Sequence, residues 1–202
     1  MQLPGPAGAL EAAIDETASS TGRYAILCHP HPQYGGSMHD AVLDCLAQAL
    51  GDSGISCLKF NFRGVGRSEG THYGTQEGAP DGAAGEVADL CAVADWLHEE
   101  RSPRALLLGG YSFGANVVWQ ALAHGMPAER ALLVAPPIGA MQFPEFTPAC
   151  PVDVFAGDAD QFIDAAALTA WRGINLHRLS GADHFFTCRW LLIRETISGE
   201  LR

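Results

Sequence analysis

The chain is short of positive charge. Lys and Arg number 12 against 23 Asp and Glu, which leaves a formal net charge of −11, and the basic residues are scattered. A nucleic-acid partner calls for a basic face, so that class of function is disfavoured. Solubility is the plainer meaning of the acidic balance. No apolar run is long enough to span a bilayer. The opening residues, "MQLPGPAGAL", lack the charged and apolar regions of a signal peptide. A cytoplasmic protein with no membrane partner is the expectation. The six cysteines (Cys28, Cys45, Cys57, Cys91, Cys150 and Cys188) show neither C-x-x-C pairing nor zinc-ligand spacing. Reduced thiols, mostly buried as small hydrophobes, follow from that. Repeats, low-complexity segments and linkers are also missing. With 48% hydrophobic and 17% charged residues, the composition is that of one globular domain, residues 1–202, able to bury a proper core.

What is present alternates. Short, nearly continuous apolar runs at 23–29, 55–62, 104–110, 130–136, 152–157 and 174–180 read as strands covered on both faces. Helical patterns occupy about 38–52, 83–101, 113–124, 164–172 and 187–198, and 8–16 adds a candidate edge strand. Within 86–100, Val87, Leu90, Cys91, Ala94 and Leu97 form one stripe at helical spacing. The fold class is therefore α/β, a mostly parallel, doubly wound sheet with helices on both faces. The least regular segments, 63–82, 136–151 and 157–164, each follow a strand, at the sheet edge where open α/β folds bind ligands.

One of the strand-to-helix turns carries chemistry. "ALLLGGYSFGANVV" (105–118) places Gly110-Tyr111-Ser112-Phe113-Gly114 between a strand and a helix. A sharp turn there crowds the backbone, which the glycines relieve, and lifts the serine hydroxyl above the sheet. The bland alternative is a glycine-rich turn in which Ser112 caps the helix. A nucleophilic serine needs a base and an orienting acid, which follow it in chain order in folds with this turn. His184, alone in the loop "SGADHFF", is the candidate base. Asp160, in "VFAGDADQFID", sits far enough into its loop to reach a histidine. Asp158 is better placed to brace the loop, Asp164 to cap the next helix, and Asp183 is a distant third acid.

An oxyanion needs two N–H donors. The amide of Phe113 is one candidate. The loop "HPHPQYGG" (29–36) should supply the other: Pro30 and Pro32 have no N–H, His31 and Gln33 do, and His31 stands third in the loop from His29. His29 and His31 also form H-x-H, but no third ligand stands near, so no metal site is assigned. "FNFRGVGRSEG" (60–70) misses the phosphate-loop spacing and has no G-K-[ST]. Arg63 there is read as a structural group bonded to carbonyls, with a substrate contact by Arg63 or Arg67 as the weaker alternative.

These motifs, "HPHP..GG", "NFRGVG.S.G", "GYSFGA", "GD.D" and "GADHFF", occur together and in order over nearly the whole chain. The sequence thereby resembles small, cap-less bacterial hydrolases of the α/β-hydrolase superfamily. It is similar, more loosely, to dienelactone hydrolase, which has a cysteine where Ser112 stands. Haloalkane dehalogenases have an aspartate there, so dehalogenation is disfavoured. The resemblance implies Ser112, Asp160 and His184 as a triad, and the amides of Phe113 and His31 as oxyanion donors. One departure is visible: related chains often carry Asn-Lys after "GGSM", where this one has His39-Asp40.

The expected function is cleavage of an ester or thioester of a small-molecule acyl substrate through an acyl-serine, with no cofactor. The segment 137–151 is too short for a helical cap, so the site should be open. Tyr34, Tyr111, Met141, Phe143 and Phe146 are candidate pocket residues, the last three with packing over the sheet edge as an equal alternative. An acyltransferase, peptidase or lyase can use the same triad, and a non-catalytic binding module is the rival of another kind. Substrate, acyl-chain length and oligomeric state are not written in these motifs.

Overall fold

The computed structural model describes residues 1–72 and 83–201. Eight strands form one sheet: β1 (Gln2–Leu3), β2 (Leu10–Asp15), β3 (Arg23–Cys28), β4 (Ile55–Phe60), β5 (Ala105–Tyr111), β6 (Arg130–Val134), β7 (Val152–Gly157) and β8 (Ile174–Leu179). Their order is β1-β2-β4-β3-β5-β6-β7-β8. β1 and β2 run antiparallel to their neighbours, and β4 through β8 pair in parallel. The candidate strand at 8–16 is therefore present but lies one position inside the edge. The outermost strand is the two-residue β1, cut short by Pro4, which cannot donate to a ladder.

Five α-helices cover the sheet: α1 (Ala41–Asp52), α2 (Ala84–Arg101), α3 (Phe113–Ala123), α4 (Ala165–Ala170) and α5 (Trp190–Glu200). Two cores result. On one face, Leu90, Val93 and Leu97 of α2 and Val117, Val118 and Trp119 of α3 pack with Ile26, Leu108 and Leu133 of the sheet. On the other, Leu43, Leu46 and Leu50 of α1 and Ile193 and Ile197 of α5 pack with Leu27, Leu107 and Leu132. Successive residues of β3, β5 and β6 thus face opposite cores, which is why these strands read as unbroken apolar runs. Among the described residues no helix is long and apolar enough to cross a membrane.

The apolar stripe of α2 holds at Val87, Leu90, Ala94 and Leu97, but Cys91 is exposed. Polar Glu86 and Asp89 are buried because each has a partner: His72 for Glu86, Arg63 for Asp89. The cysteines are all free, but only Cys28 and Cys57 are buried. Cys45 and Cys150 are half-buried, and Cys91 and Cys188 are exposed, which corrects the expectation of mostly buried thiols.

The register sets the site. Cys28, the last residue of β3, is aligned with Gly110 near the end of β5. The loop 29–36 and the turn 110–114 therefore leave the sheet side by side, where strand order reverses around β3. That crevice is where an open α/β sheet binds its ligand.

Candidate active site

Ser112 occupies the turn between β5 and α3 with φ 53° and ψ −114°. A non-glycine residue at positive φ carries local strain of about 1–3 kcal/mol, which the surrounding fold must hold. Two close approaches hold it. A Cβ on Gly110 would lie 2.3 Å from the Gly114 oxygen, and one on Gly114 would lie 2.1 Å from the Cys28 oxygen. Neither position tolerates a side chain. Ser112 donates its amide to the Val134 oxygen at 2.9 Å and makes no side-chain cap on α3, which sets aside the capping alternative.

The loops after β7 and β8 bring the partners in. Nε2 of His184 lies 2.9 Å from Ser112 Oγ, and Nδ1 lies 2.8 Å from Asp160 Oδ2. The second Asp160 oxygen accepts from the Phe162 amide at 2.8 Å, which fixes the carboxylate plane. Both His184 and Asp160 are buried. The ring of His184 is bracketed by Phe162 at 4.7 Å, Phe185 at 5.4 Å and Tyr111 at 5.8 Å between centroids. The Tyr111 hydroxyl donates to the His184 carbonyl at 2.9 Å, tying the histidine loop to the turn that carries Ser112. The other acids have separate duties. Asp158 accepts from the Gly181 amide at 2.7 Å, Asp164 caps α4 and Asp183 accepts from the Thr187 amide.

The amides of Phe113 and His31 have no hydrogen-bond acceptor among the described residues, and both residues line the cleft beside Ser112. Their rings pack 4.9 Å apart. The loop bearing His31 is fixed from beneath. His29 accepts from the Phe62 amide at Nε2 and donates from Nδ1 to the Pro30 oxygen, so both its ring nitrogens are committed inside the protein. Burial lowers the His29 pKa to about 4. Behind His31, and invisible to the motif reading, His72 Nδ1 sits 2.7 Å from Glu86 Oε1. The His72 ring meets His31 edge-on at 5.2 Å and Phe113 at 5.7 Å. Its Nε2 is buried with no partner among the described residues.

The cleft has a volume of about 600 Å3. Tyr34, Tyr111, Phe113, Met141, Phe162 and Phe185 dominate its walls, and Tyr34 and Phe185 stand exposed at the rim. Phe143 and Phe146 do not line it. Asn116 donates to the Gln142 oxygen and Trp119 to the Pro144 oxygen, which pins 142–146 onto α3. Phe146 then packs on Trp119 at 4.6 Å and Phe143 on Trp171 at 5.2 Å, so the packing alternative is the right one for these two. Arg63 pairs with the buried Asp89 carboxylate and Arg67 with Glu11, and neither lines the cleft. Part of the irregular segment 63–82, residues 73–82, lies outside the described residues.

Comparison with known proteins follows the same lines. The sequence profile of the family described as serine aminopeptidase, S33 matches residues 26–150. The structure of an α/β serine hydrolase without a lid from Xanthomonas campestris is 34% identical, with a TM-score of 0.89, over 100% of this chain and 92% of that one. The chain belongs to the cap-less α/β-hydrolases. Another α/β-hydrolase structure, a serine hydrolase homologue from Coxiella burnetii, is 32% identical with a TM-score of 0.90, over 100% and 96% of the two chains. An uncharacterised protein of Rickettsia prowazekii is 31% identical, over 90% of this α/β-hydrolase and 79% of its own length.

Proposed function

We propose that the protein hydrolyses a carboxylic ester through an acyl-Ser112 intermediate. The observation that carries this reading is the continuous contact Ser112–His184–Asp160, with 2.9 and 2.8 Å links, on the floor of an open apolar cleft. With Nδ1–H donated to Asp160, the neutral imidazole presents its Nε2 lone pair to the serine hydroxyl. Ser112 Oγ attacks the acyl carbon as its proton passes to His184. Asp160 holds the tautomer and stabilises the imidazolium. The amides of Phe113 and His31 are free to receive the developing oxyanion, at the positive end of α3. His184 then protonates the leaving alcohol, and a water molecule activated by the same nitrogen releases the acyl group as an acid.

A fluorophosphonate probe tests the reading, because it reacts with an activated serine whatever the substrate. One covalent adduct, located at Ser112 by peptide mass spectrometry and lost in Ser112→Ala, is the expected result. Absence of label, or label on a different serine, refutes it.

A further inference from the structure

The chemistry of the cleft is uneven. Aromatic rings enter from several sides: Tyr34 from the loop after β3, Tyr111 and Phe113 flanking the nucleophile, Phe162 after β7 and Phe185 after β8. Among the described residues that line it, one carboxylate is present, Asp40, and no Lys or Arg. Residues 73–82, outside the described residues, contain neither Lys nor Arg. Burial lowers the His31 pKa. A half-buried negative group in an aromatic cleft, with no Lys or Arg among the described lining residues, is an arrangement that attracts a cation, through Coulomb attraction and the aromatic rings together.

Asp40 is the N-cap of α1. Its Oδ1 accepts from the amides of Val42 at 2.8 Å and Leu43 at 3.4 Å. Its Oδ2 has no hydrogen-bond partner among the described residues, and no ion pair engages it. Capping therefore uses one oxygen and leaves the other without a partner among the described residues, on a residue that lines the cleft. Burial raises the carboxyl pKa, and the cap amides are the groups that oppose it; no positive side chain does. Asp40 shares the cleft with His184, the group that protonates the departing alcohol, and with Tyr111, whose hydroxyl is bonded to the His184 carbonyl.

We propose that the cleft selects esters whose alcohol carries an ammonium group, held between Asp40 and the surrounding aromatic rings. The inference rests on the ester-hydrolase reading and adds the substrate class to it. The bond changes are those of that reaction: the acyl carbon bonds to Ser112 Oγ, the C–O bond to the amino alcohol breaks, and the proton from Ser112 leaves on that alcohol by way of His184. The ammonium takes no part in bond making. Thiol carriers bearing phosphates are disfavoured, because a net charge of −11 and Asp40 meet them with no Lys or Arg among the described residues of the cleft.

The test compares three butyrate esters by pH-stat at low salt: the choline ester, its carbon isostere with the quaternary nitrogen replaced by carbon, and an ester of a sulfonate-bearing alcohol. The choline ester should exceed its neutral isostere about tenfold in kcat/KM, and the anionic ester should fall below it. Asn caps a helix as well as Asp does, so Asp40→Asn removes the charge and keeps the cap. In that variant the cation-to-neutral ratio should drop to within about twofold of unity. A ratio near one in the parent, or an unchanged ratio in Asp40→Asn, overturns the proposal and leaves the esterase reading standing. Should no ester turn over and no fluorophosphonate react, the esterase reading fails instead. Calorimetric titration of the choline ester into Ser112→Ala protein then decides the cation site alone: binding at least fivefold tighter than in Ser112→Ala/Asp40→Asn supports it, and equal binding overturns it.

Discussion

His184 and His177 have nearly the same immediate partner and opposite surroundings. Each has a ring nitrogen on a buried aspartate, at 2.8 Å from Asp160 and 3.0 Å from Asp153. Each also packs against a phenylalanine, Phe162 in one case and Phe155 in the other. The second nitrogen separates them. In His184 it meets Ser112 Oγ at the floor of the cleft. In His177 it faces Glu200 at 3.7 Å, on the strand that closes the sheet. The acids differ in the same sense. Asp160 has His184 and one backbone amide, whereas Asp153 is shared among His177, Arg130 and Asn175. A third pair, His72–Glu86, leaves its second nitrogen enclosed and unpartnered among the described residues. A histidine–carboxylate pair is thus a common way of keeping a buried imidazole oriented. What makes one of them a candidate base is the group on its far nitrogen and the open space beyond it.

The largest effect should come from exchanging the acids. Asp160→Asn is expected to lower kcat by about 10^4-fold with little change in KM, because the imidazole loses its enforced tautomer. Asp153→Asn should leave kcat on a neutral ester within about threefold of the parent. Steady-state kinetics on the two variants break the comparison if both, or neither, lose activity.

Stability should sort them the other way. Asp153→Asn leaves Arg130 and His177 facing a neutral amide and should cost about 3 kcal/mol. Arg130 is partly exposed, which keeps the loss at the low end for a broken buried pair. Denaturant titration measures it, and a cost no larger than that of Asp160→Asn would mean that the Asp153 cluster is dispensable.

His29 sharpens the contrast, being a buried histidine with no carboxylate to hold. Burial lowers its pKa to about 4, against about 6.5 in an unfolded chain. Below 6.5 the unfolded chain gains a proton that the folded chain refuses. The contribution of His29 is therefore full at neutral pH, declines as pH falls from about 6.5 to about 4, and levels off below that. The gap amounts to about 3 kcal/mol. His29→Gln should flatten that part of the acid branch in a plot of unfolding free energy against pH. An unchanged slope between pH 7 and pH 5 would show that other groups carry it.

The smallest change tests the tether peculiar to His184. Tyr111→Phe removes the hydroxyl that bonds its carbonyl and should cost about 1 kcal/mol, with a fall in kcat of only a few-fold. A loss as large as that of Asp160→Asn would give Tyr111 a part in the chemistry itself.

Much of this arrangement was legible because it is local. β3, β5 and β6 announce themselves as unbroken apolar runs, the candidate nucleophile turn by glycines two residues either side of Ser112, and the histidine by its isolation in a short loop; β8, at the sheet edge and mostly half-buried or exposed, departs from the reading of a strand covered on both faces. Asp158, Asp160 and Asp164 were separable because capping and bracing depend on distance from a strand or helix end. What stayed hidden is non-local. Nothing around His72 points to Glu86, fourteen positions away, and the burial of Glu86 and Asp89 makes sense only with their partners in place. Phe143 and Phe146 face away from the cleft because of two hydrogen bonds to α3, which no apolar pattern encodes. Cys91 fits the stripe by spacing yet is exposed.

The contact between Gly114 and the Cys28 oxygen has a consequence for how the protein fails when heated. With no room for even a methyl group between the Ser112 turn and the end of β3, separation of the candidate donors at His31 and Phe113 is expected to require opening at the centre of the sheet. Local unfolding normally silences a site on loops well before the core melts. Opening of this part of the site is therefore expected to coincide with global melting, which a thermal inactivation curve overlaid on an unfolding curve would check.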